Sequence, residues 1–191
     1  ATSINENIFI NSENQSAPVV YVQSPLYDEY VELWGETMGE TFTSVLEKDE
    51  LALENINGNI ILKSNNGSIL LKGGDNEDFD TSTLPIDIVE IGACAFKGNN
   101  SVKNIILGES VKTIGKSAFY NAQNLETLYS KRSEDIYVEA NSFYKVGKLK
   151  YAAFNAEVGY VDDDFSDNQV SYKFYAPYNA YGYRNYVFDY E

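Results

Sequence analysis

The chain has 191 residues, of which 14 are basic, 29 acidic and none histidine, for a net charge of −15. That length suits one good core with specialised ends rather than two cores. The charge disfavours nucleic-acid phosphates and anionic lipid surfaces as partners, and the missing imidazole removes Ser-His-Asp catalysis, Cys-His catalysis and histidine zinc sites together.

The start, Ala1-Thr2-Ser3-Ile4-Asn5, lacks a basic segment followed by an apolar one, so any signal peptide is read as already removed. No run approaches the roughly 18 consecutive apolar residues that a membrane span needs. Ile8-Phe9-Ile10 and Val19-Val20-Tyr21-Val22 read as short strands, β-branched or aromatic with polar flanks. Ser24-Pro25 then resembles a helix cap with proline in the first turn. Leu26, Tyr30, Leu33, Trp34, Met38, Phe42 and Val45 recur at helical spacing and predict an amphipathic helix from about Pro25 to Val45. Gly35 and Gly39 each weaken it by about 1 kcal/mol relative to Ala, and a break is expected near Gly39. Asn57 to Lys72 reads as a β-hairpin turning at Asn66-Gly67, and Gly73 to Thr83 as an acidic loop.

Beyond Thr83 the chain repeats itself. Ile91-Gly92-Ala93-Cys94-Ala95-Phe96 returns as Ile114-Gly115-Lys116-Ser117-Ala118-Phe119, an offset of 114 − 91 = 23 residues. Leu84, Ile88, Val102 and Ile105 return at the same offset as Leu107, Val111, Leu125 and Leu128. A third copy, Val138, Phe143, Leu149 and Ala152, follows at an offset of 24, its extra residue assigned to the polar run Ser130 to Asp135. A period in this range is the signature of a solenoid, whose extended face favours recognition over catalysis in a pocket. Met38-Gly39-Glu40-Thr41-Phe42 echoes the same core one residue short, so a degenerate repeat competes with the helix there.

The single cysteine, Cys94, sits at an Ala- or Ser-like repeat position, which favours a buried structural thiol over a reactive one. Residues 151 to 191 hold nine of the 16 tyrosines and a strand-like Val170 to Tyr175. This tail is read as a closing cap, with sugar binding by its rings as the competing use. Asp162-Asp163-Asp164-Phe165-Ser166-Asp167-Asn168 places oxygens like a calcium loop, but lacks Gly at the sixth position and has Lys173 at the twelfth. It and Asp75 to Asp80 are read as solvated loops, so no metal and no cofactor is expected. A glycosidase-like carboxylate pair is the remaining enzymatic route, and no spacing singles one out. Sequons at Asn14, Asn66 and Asn99 matter only in a eukaryotic secretory pathway.

The run Leu84-Pro85 through Leu107, and again Leu107 to Leu128, resembles the BspA-type, or Treponema pallidum-type, leucine-rich repeat of bacterial surface proteins. The likeness extends over residues 57 to 154, including the hairpin before Leu84-Pro85, and more loosely to Tyr175-Ala176-Pro177-Tyr178. It implies a β-rich (α/β) leucine-rich-repeat solenoid, a right-handed superhelix with short helices and terminal caps. The boundaries expected are an N-terminal cap over 1–56, a hairpin insert and acidic loop over 57–83, repeats over 84–154 and an aromatic cap over 155–191. The winding is expected to loosen in the third copy, where Glu139 replaces Gly and Ser142 replaces Ala. The resemblance further implies an exported or surface-attached, non-catalytic module that binds extracellular protein or glycan; charge and the lack of a long apolar run add the expectation of no nucleic acid and no membrane insertion.

Two-residue alternation places Val102, Ile105, Leu107, Leu125, Leu128, Leu149, Ala152 and Phe154 inside. Ile106, Tyr129 and Ala153 then face outward on neighbouring strands, flanked by Lys103/Asn104, Glu126/Thr127 and Lys150/Tyr151. The candidate partner-binding residues are therefore Ile106, Tyr129, Lys103, Glu126, Thr127 and Tyr151. The competing reading, that Ile106 and Tyr129 shield the sheet or meet the caps, stays open at this point.

Overall fold

The computed structural model describes residues 20–23, 26–38, 42–45, 52–65, 67–149, 151–154 and 173–175. The chain divides into two compact units, residues 1–52 with 64–66, and residues 53–63 with 67–191.

In the first unit, strand β1 (Val20–Gln23) pairs in parallel with β2 (Phe42–Val45), Val20 opposite Phe42 through Gln23 opposite Val45. Parallel neighbours need a crossover, and helix α1 (Tyr27–Met38) supplies it, with Asp28 and Glu29 placed well for the positive end of its dipole. The helix stops before Gly39, where the break was expected. Phe42 and Val45 lie in strand rather than in the helix's last turns. Phe42-Thr43-Ser44-Val45 is aromatic and β-branched at three of four positions, and pairing with the Val-rich β1 outweighs their helical spacing. Ile8 to Ile10 lie outside the described residues.

Among the described residues, the second unit holds eleven strands: β3 (Ala52–Ile56), β4 (Asn59–Lys63), β5 (Ser68–Lys72), β6 (Asp78–Asp80), β7 (Ile88–Ile91), β8 (Asn104–Leu107), β9 (Thr113–Ile114), β10 (Thr127–Ser130), β11 (Tyr137–Val138), β12 (Tyr151–Phe154) and β13 (Lys173–Tyr175). They form two sheets, ordered β11-β9-β7-β5-β4-β3 and β13-β12-β10-β8-β6. From β5 to β12 the chain visits the sheets alternately, and each coil lays its strands parallel to those of the coil before. The expected β4–β5 hairpin is present and antiparallel. It is preceded by β3, joined through Asn57-Gly58 with φ of 52° and 85°, the positive pair that a two-residue hairpin turn requires.

The repeat offsets become strand registers. Ile105 pairs with Leu128 and Leu128 with Ala152, offsets of 23 and 24. Ser130 opposes Leu107 at the shorter offset and Tyr137 opposes Thr113 at the longer, which brackets the inserted residue between Ser130 and Tyr137. Arg132 holds that run to the coil before it by donating from Nη1 to the Glu109 carbonyl at 3.0 Å, and braces the run itself by donating from Nε to the Asp135 carbonyl at 2.8 Å.

The core lies between the sheets. Phe96, Phe119 and Phe143 are buried and stacked, with centroids 5.4 and 5.2 Å apart and planes inclined by 18° and 21°. Gly73 occupies the phenylalanine position one coil earlier: its N–H donates to Ala95 as that of Phe96 donates to Ala118. A methyl group there would lie 1.9 Å from Phe96 Cε1, so the Phe96 ring covers the glycine directly. Phe79 closes the flank edge-on at 5.1 Å. Segment 73–83, read as an acidic loop, therefore holds strand β6 and a solenoid layer. Its one inward apolar residue, Phe79, is flanked by outward Asp78 and Asp80, and that acidity hides the alternation.

Each coil turns from one sheet to the other with the same left-handed residues. Cys94, Ser117 and Asn141 have φ of 61°, 56° and 57°, and Gly98, Asn121 and Lys145 have φ of 67°, 58° and 59°. The third coil does not loosen. Val138 stays opposite Ile114 and Ala152 opposite Leu128. The Glu139 carboxylate accepts the Lys116 N–H at 2.8 Å. The buried Ser142 hydroxyl in the alanine slot bonds to the carbonyls of Gly115 and Glu139, which removes the penalty of hiding it.

Phe119 is stacked on both faces, so Phe119→Ala is expected to cost about 3 to 5 kcal/mol of stability. Urea denaturation checks this, and a loss below about 1 kcal/mol would contradict a ring at the centre of the core.

Candidate functional site

The solvent face of the five-stranded sheet follows from strand alternation. Ile105, Leu107, Leu128, Ser130, Ala152 and Phe154 point inward and are buried. Between them, Ile106 and Ala153 are half-buried and Tyr129 is 44% exposed. Backbone register sets Asp80, Ile106, Tyr129, Ala153 and Tyr175 in one row across five strands. Parallel strands lie about 4.8 Å apart, so the row is a compact stripe.

Beside it runs a second row, Asp78, Asn104, Thr127, Tyr151 and Lys173. Its first three members are joined into one hydrogen-bonded chain. Asn104 Nδ2 donates to Asp78 Oδ1 at 2.7 Å, and Thr127 Oγ1 donates to Asn104 Oδ1 at 2.7 Å. Just before the strands, Lys103 Nζ lies 2.8 Å from Glu77 Oε1, with Glu126 one repeat further on. The hydrogen bond and charge of Glu77, with smaller contributions from Glu126 and Asp78, hold the Lys103 ammonium above the usual lysine range. The structure thus brings Lys103, Ile106, Glu126, Thr127 and Tyr129 to one face and places Tyr151 there by its backbone. Lys150 lies outside the described residues.

The other flank was not read from the sequence. Lys131 Nζ reaches Asp80 Oδ2 at 3.3 Å and Ser82 Oγ at 2.9 Å. Asp80 also caps the short turn Thr81–Thr83 by accepting the Ser82 N–H. Partial burial pushes the Asp80 carboxyl up, but the Ser82 hydroxyl, the Ser82 N–H and Lys131 together pull it below the ordinary value. The signal was present as an Asp-x-Ser cap, lost among the neighbouring acids. What the face offers is an aromatic and aliphatic centre with a polar rim of both charges.

Other candidates resolve differently. The Asn99 side chain is engaged at both ends, Nδ2 donating to the Gly74 carbonyl and Oδ1 accepting the N–H groups of Ser101 and Val102. Its place in a sequon therefore coincides with a structural clamp. Cys94 is half-buried; burial pushes its thiol up, partly offset by Lys97 and Lys116. Among the described residues no group of three or more His, Cys, Asp or Glu could hold a metal ion. In the run 75–80, Asp78 and Asp80 are committed to Asn104 and to Ser82 and Lys131. Residues 162–168, Asn14, Asn66 and the side chains of the tail tyrosines lie outside the described residues. On the other sheet a concavity of about 400 Å³ is lined by Thr113, Tyr137, Val138, Glu139 and Ala140. Its one carboxylate, Glu139, accepts a backbone N–H.

Because the Asp80 carboxyl is depressed in the folded state, its partners stabilise the fold above the unfolded value of about 3.9, and that contribution is lost as pH falls through the lower folded value. Asp80→Asn is therefore expected to lower the urea midpoint at neutral pH and to converge on the parent protein in acid. An undiminished gap at the acid limit would show that the charge is not responsible.

Comparison with known proteins bears on this arrangement. The BspA type leucine rich repeat region matches residues 75–191, in six copies. No curated protein sequence matches the chain. Among solved structures, a leucine-rich repeat protein from Bacteroides capillosus ATCC 29799 superposes with a TM-score of 0.57 at 19% identity, covering 65% of this chain and 97% of that one. The T. pallidum leucine rich repeat protein gives a TM-score of 0.46 at 19% identity, covering 69% of this chain and 64% of that one. No helix among the described residues is long and apolar enough to cross a membrane. The two-sheet coils, their repeating left-handed turns and a family match over more than half of the sequence agree: the chain belongs to the BspA-type leucine-rich-repeat family.

Proposed function

We propose that this protein is an exported, non-catalytic recognition module of a bacterial surface, which docks an extracellular protein on the five-stranded face. The observation that carries the reading is Tyr129, a large aromatic side chain 44% exposed at the middle of a regular sheet. Ile106 and Ala153 stand beside it in register. Apolar rings at the centre of a patch with charged groups at its edge are the composition of protein interfaces, where tyrosine is enriched among the dominant contacts. Membership of a repeat family supports a binding role through the continuous surface that such folds present. The absence of histidine from the sequence removes imidazole acid–base chemistry from consideration.

The test is capture from host extracellular extracts by the purified protein, with an Ile106→Asp/Tyr129→Asp double variant as comparison. A specifically captured protein should be lost with the double variant while its thermal unfolding stays cooperative. Against the purified partner, Tyr129→Ala should weaken affinity about tenfold or more. Equal capture by both forms would move the docking surface elsewhere.

A further inference from the structure

The polar row beside Tyr129 has a direction, and charge sets it. A carboxylate can only accept hydrogen bonds, so the Asn104 amide turns its Nδ2 toward Asp78 Oδ1, 2.7 Å away. Asn104 Oδ1 is then left facing Thr127, and the Thr127 hydroxyl spends its one proton there, at 2.7 Å. The reverse arrangement would set an amide oxygen against a carboxylate. Asp78 therefore fixes the polarity of both bonds. With Asp78 exposed and Asn104 and Thr127 half-buried, the row offers a partner the lone pairs of the carboxylate and of Thr127 Oγ1, with one Asn104 amide hydrogen between them.

The balance of charge points the same way. Across β6, β8 and β10 the face carries Glu77, Asp78, Asp80 and Glu126 against Lys103 and Lys131. Both ammoniums already lie on carboxylates of this face, Lys103 on Glu77 at 2.8 Å and Lys131 on Asp80 at 3.3 Å. This part of the face is thus negative and rich in acceptors, in a chain of net charge −15. Lys173 stands at the far end of the row by register, two strands beyond Thr127.

An acceptor row alone would suit any cation, and the neighbouring ring narrows the choice. Tyr129 follows Thr127 by two residues on β10, on the same side of the sheet and about 6.6 Å along the strand, and it is 44% exposed. A guanidinium donates several hydrogen bonds in one plane and stacks on aromatic faces, whereas an ammonium is a compact, strongly hydrated point charge. Ile106, paired with Tyr129 and two residues from Asn104, offers apolar surface to the methylenes of a long basic side chain.

We infer that the protein docked on this face presents an arginine, whose guanidinium lies against the Tyr129 ring and donates to Thr127 Oγ1, its charge balanced by the nearby carboxylates of Asp78 and Glu126. This rests on the docking role proposed for the face and adds the chemistry of the partner. Asp78 acts twice, as a charge and as the group that orients Asn104 and Thr127.

The test is panning of a random peptide library displayed on phage against the purified protein, followed by titration of the selected peptides against variants. Among clones that bind the parent and fail to bind Ile106→Asp/Tyr129→Asp, arginine is expected to be enriched over lysine and over the starting library. For these peptides Thr127→Val, which suits a strand and changes no charge, should weaken binding about tenfold, and Thr127→Ser should restore most of it. Asp78→Asn, which removes the charge and frees the Asn104 amide to turn, should weaken it as well. Face-dependent clones without arginine enrichment, or arginine peptides indifferent to Thr127→Val or to Asp78→Asn, would overturn the arginine and leave the docking face standing. The absence of any face-dependent clone would overturn both.

Discussion

The solenoid rests on one constraint: a side chain buried by one coil must find its counterpart one coil away at the distance that backbone hydrogen bonding dictates. Phenylalanine meets it. Parallel strands lie about 4.8 Å apart, and the slightly tilted rings of Phe96, Phe119 and Phe143 stack at 5.4 and 5.2 Å. Ring contact and strand pairing therefore favour the same rise, and each ring pair adds about 0.5 to 1.5 kcal/mol beyond its burial. Gly115, four residues before Phe119, serves the same spacing between the first two coils. A methyl group on Gly115 would come within 2.7 Å of the Ala93 nitrogen, so the coils could not approach as closely.

Much of this was legible because the repeat states the same contact several times over. The offsets of 23 and 24 foretold the pairing of Ile105 with Leu128 and of Leu128 with Ala152, and inward and outward positions followed from alternation. The same logic put Ile106 and Tyr129 side by side. Legibility fell where one residue carried the pattern alone: Phe79 is the sole inward apolar group of β6, and its acidic neighbours suggested a loop. It fell again at Glu139 and Ser142, whose polar side chains looked like faults. Their hydrogen bonds to neighbouring backbone, invisible without coordinates, make them compatible with the register.

The surface shows what such a scaffold leaves undetermined. Inward positions answer to the next coil, whereas outward ones answer only to solvent and to partners. On the five-stranded face this freedom yields a linked polar row, Asp78–Asn104–Thr127, next to an apolar one. The row keeps amide and hydroxyl groups oriented without a ligand, which reduces the ordering cost of docking.

Gly73 gives the ring column a direction. With hydrogen in place of a phenyl group, the slot below Phe96 is closed by backbone, and Phe79 seals the side. A further phenylalanine-bearing layer added beneath would meet backbone there instead of an aromatic surface. Growth of this molecule by duplication of its units is thereby steered away from that floor, toward interior copies or the carboxyl-terminal side.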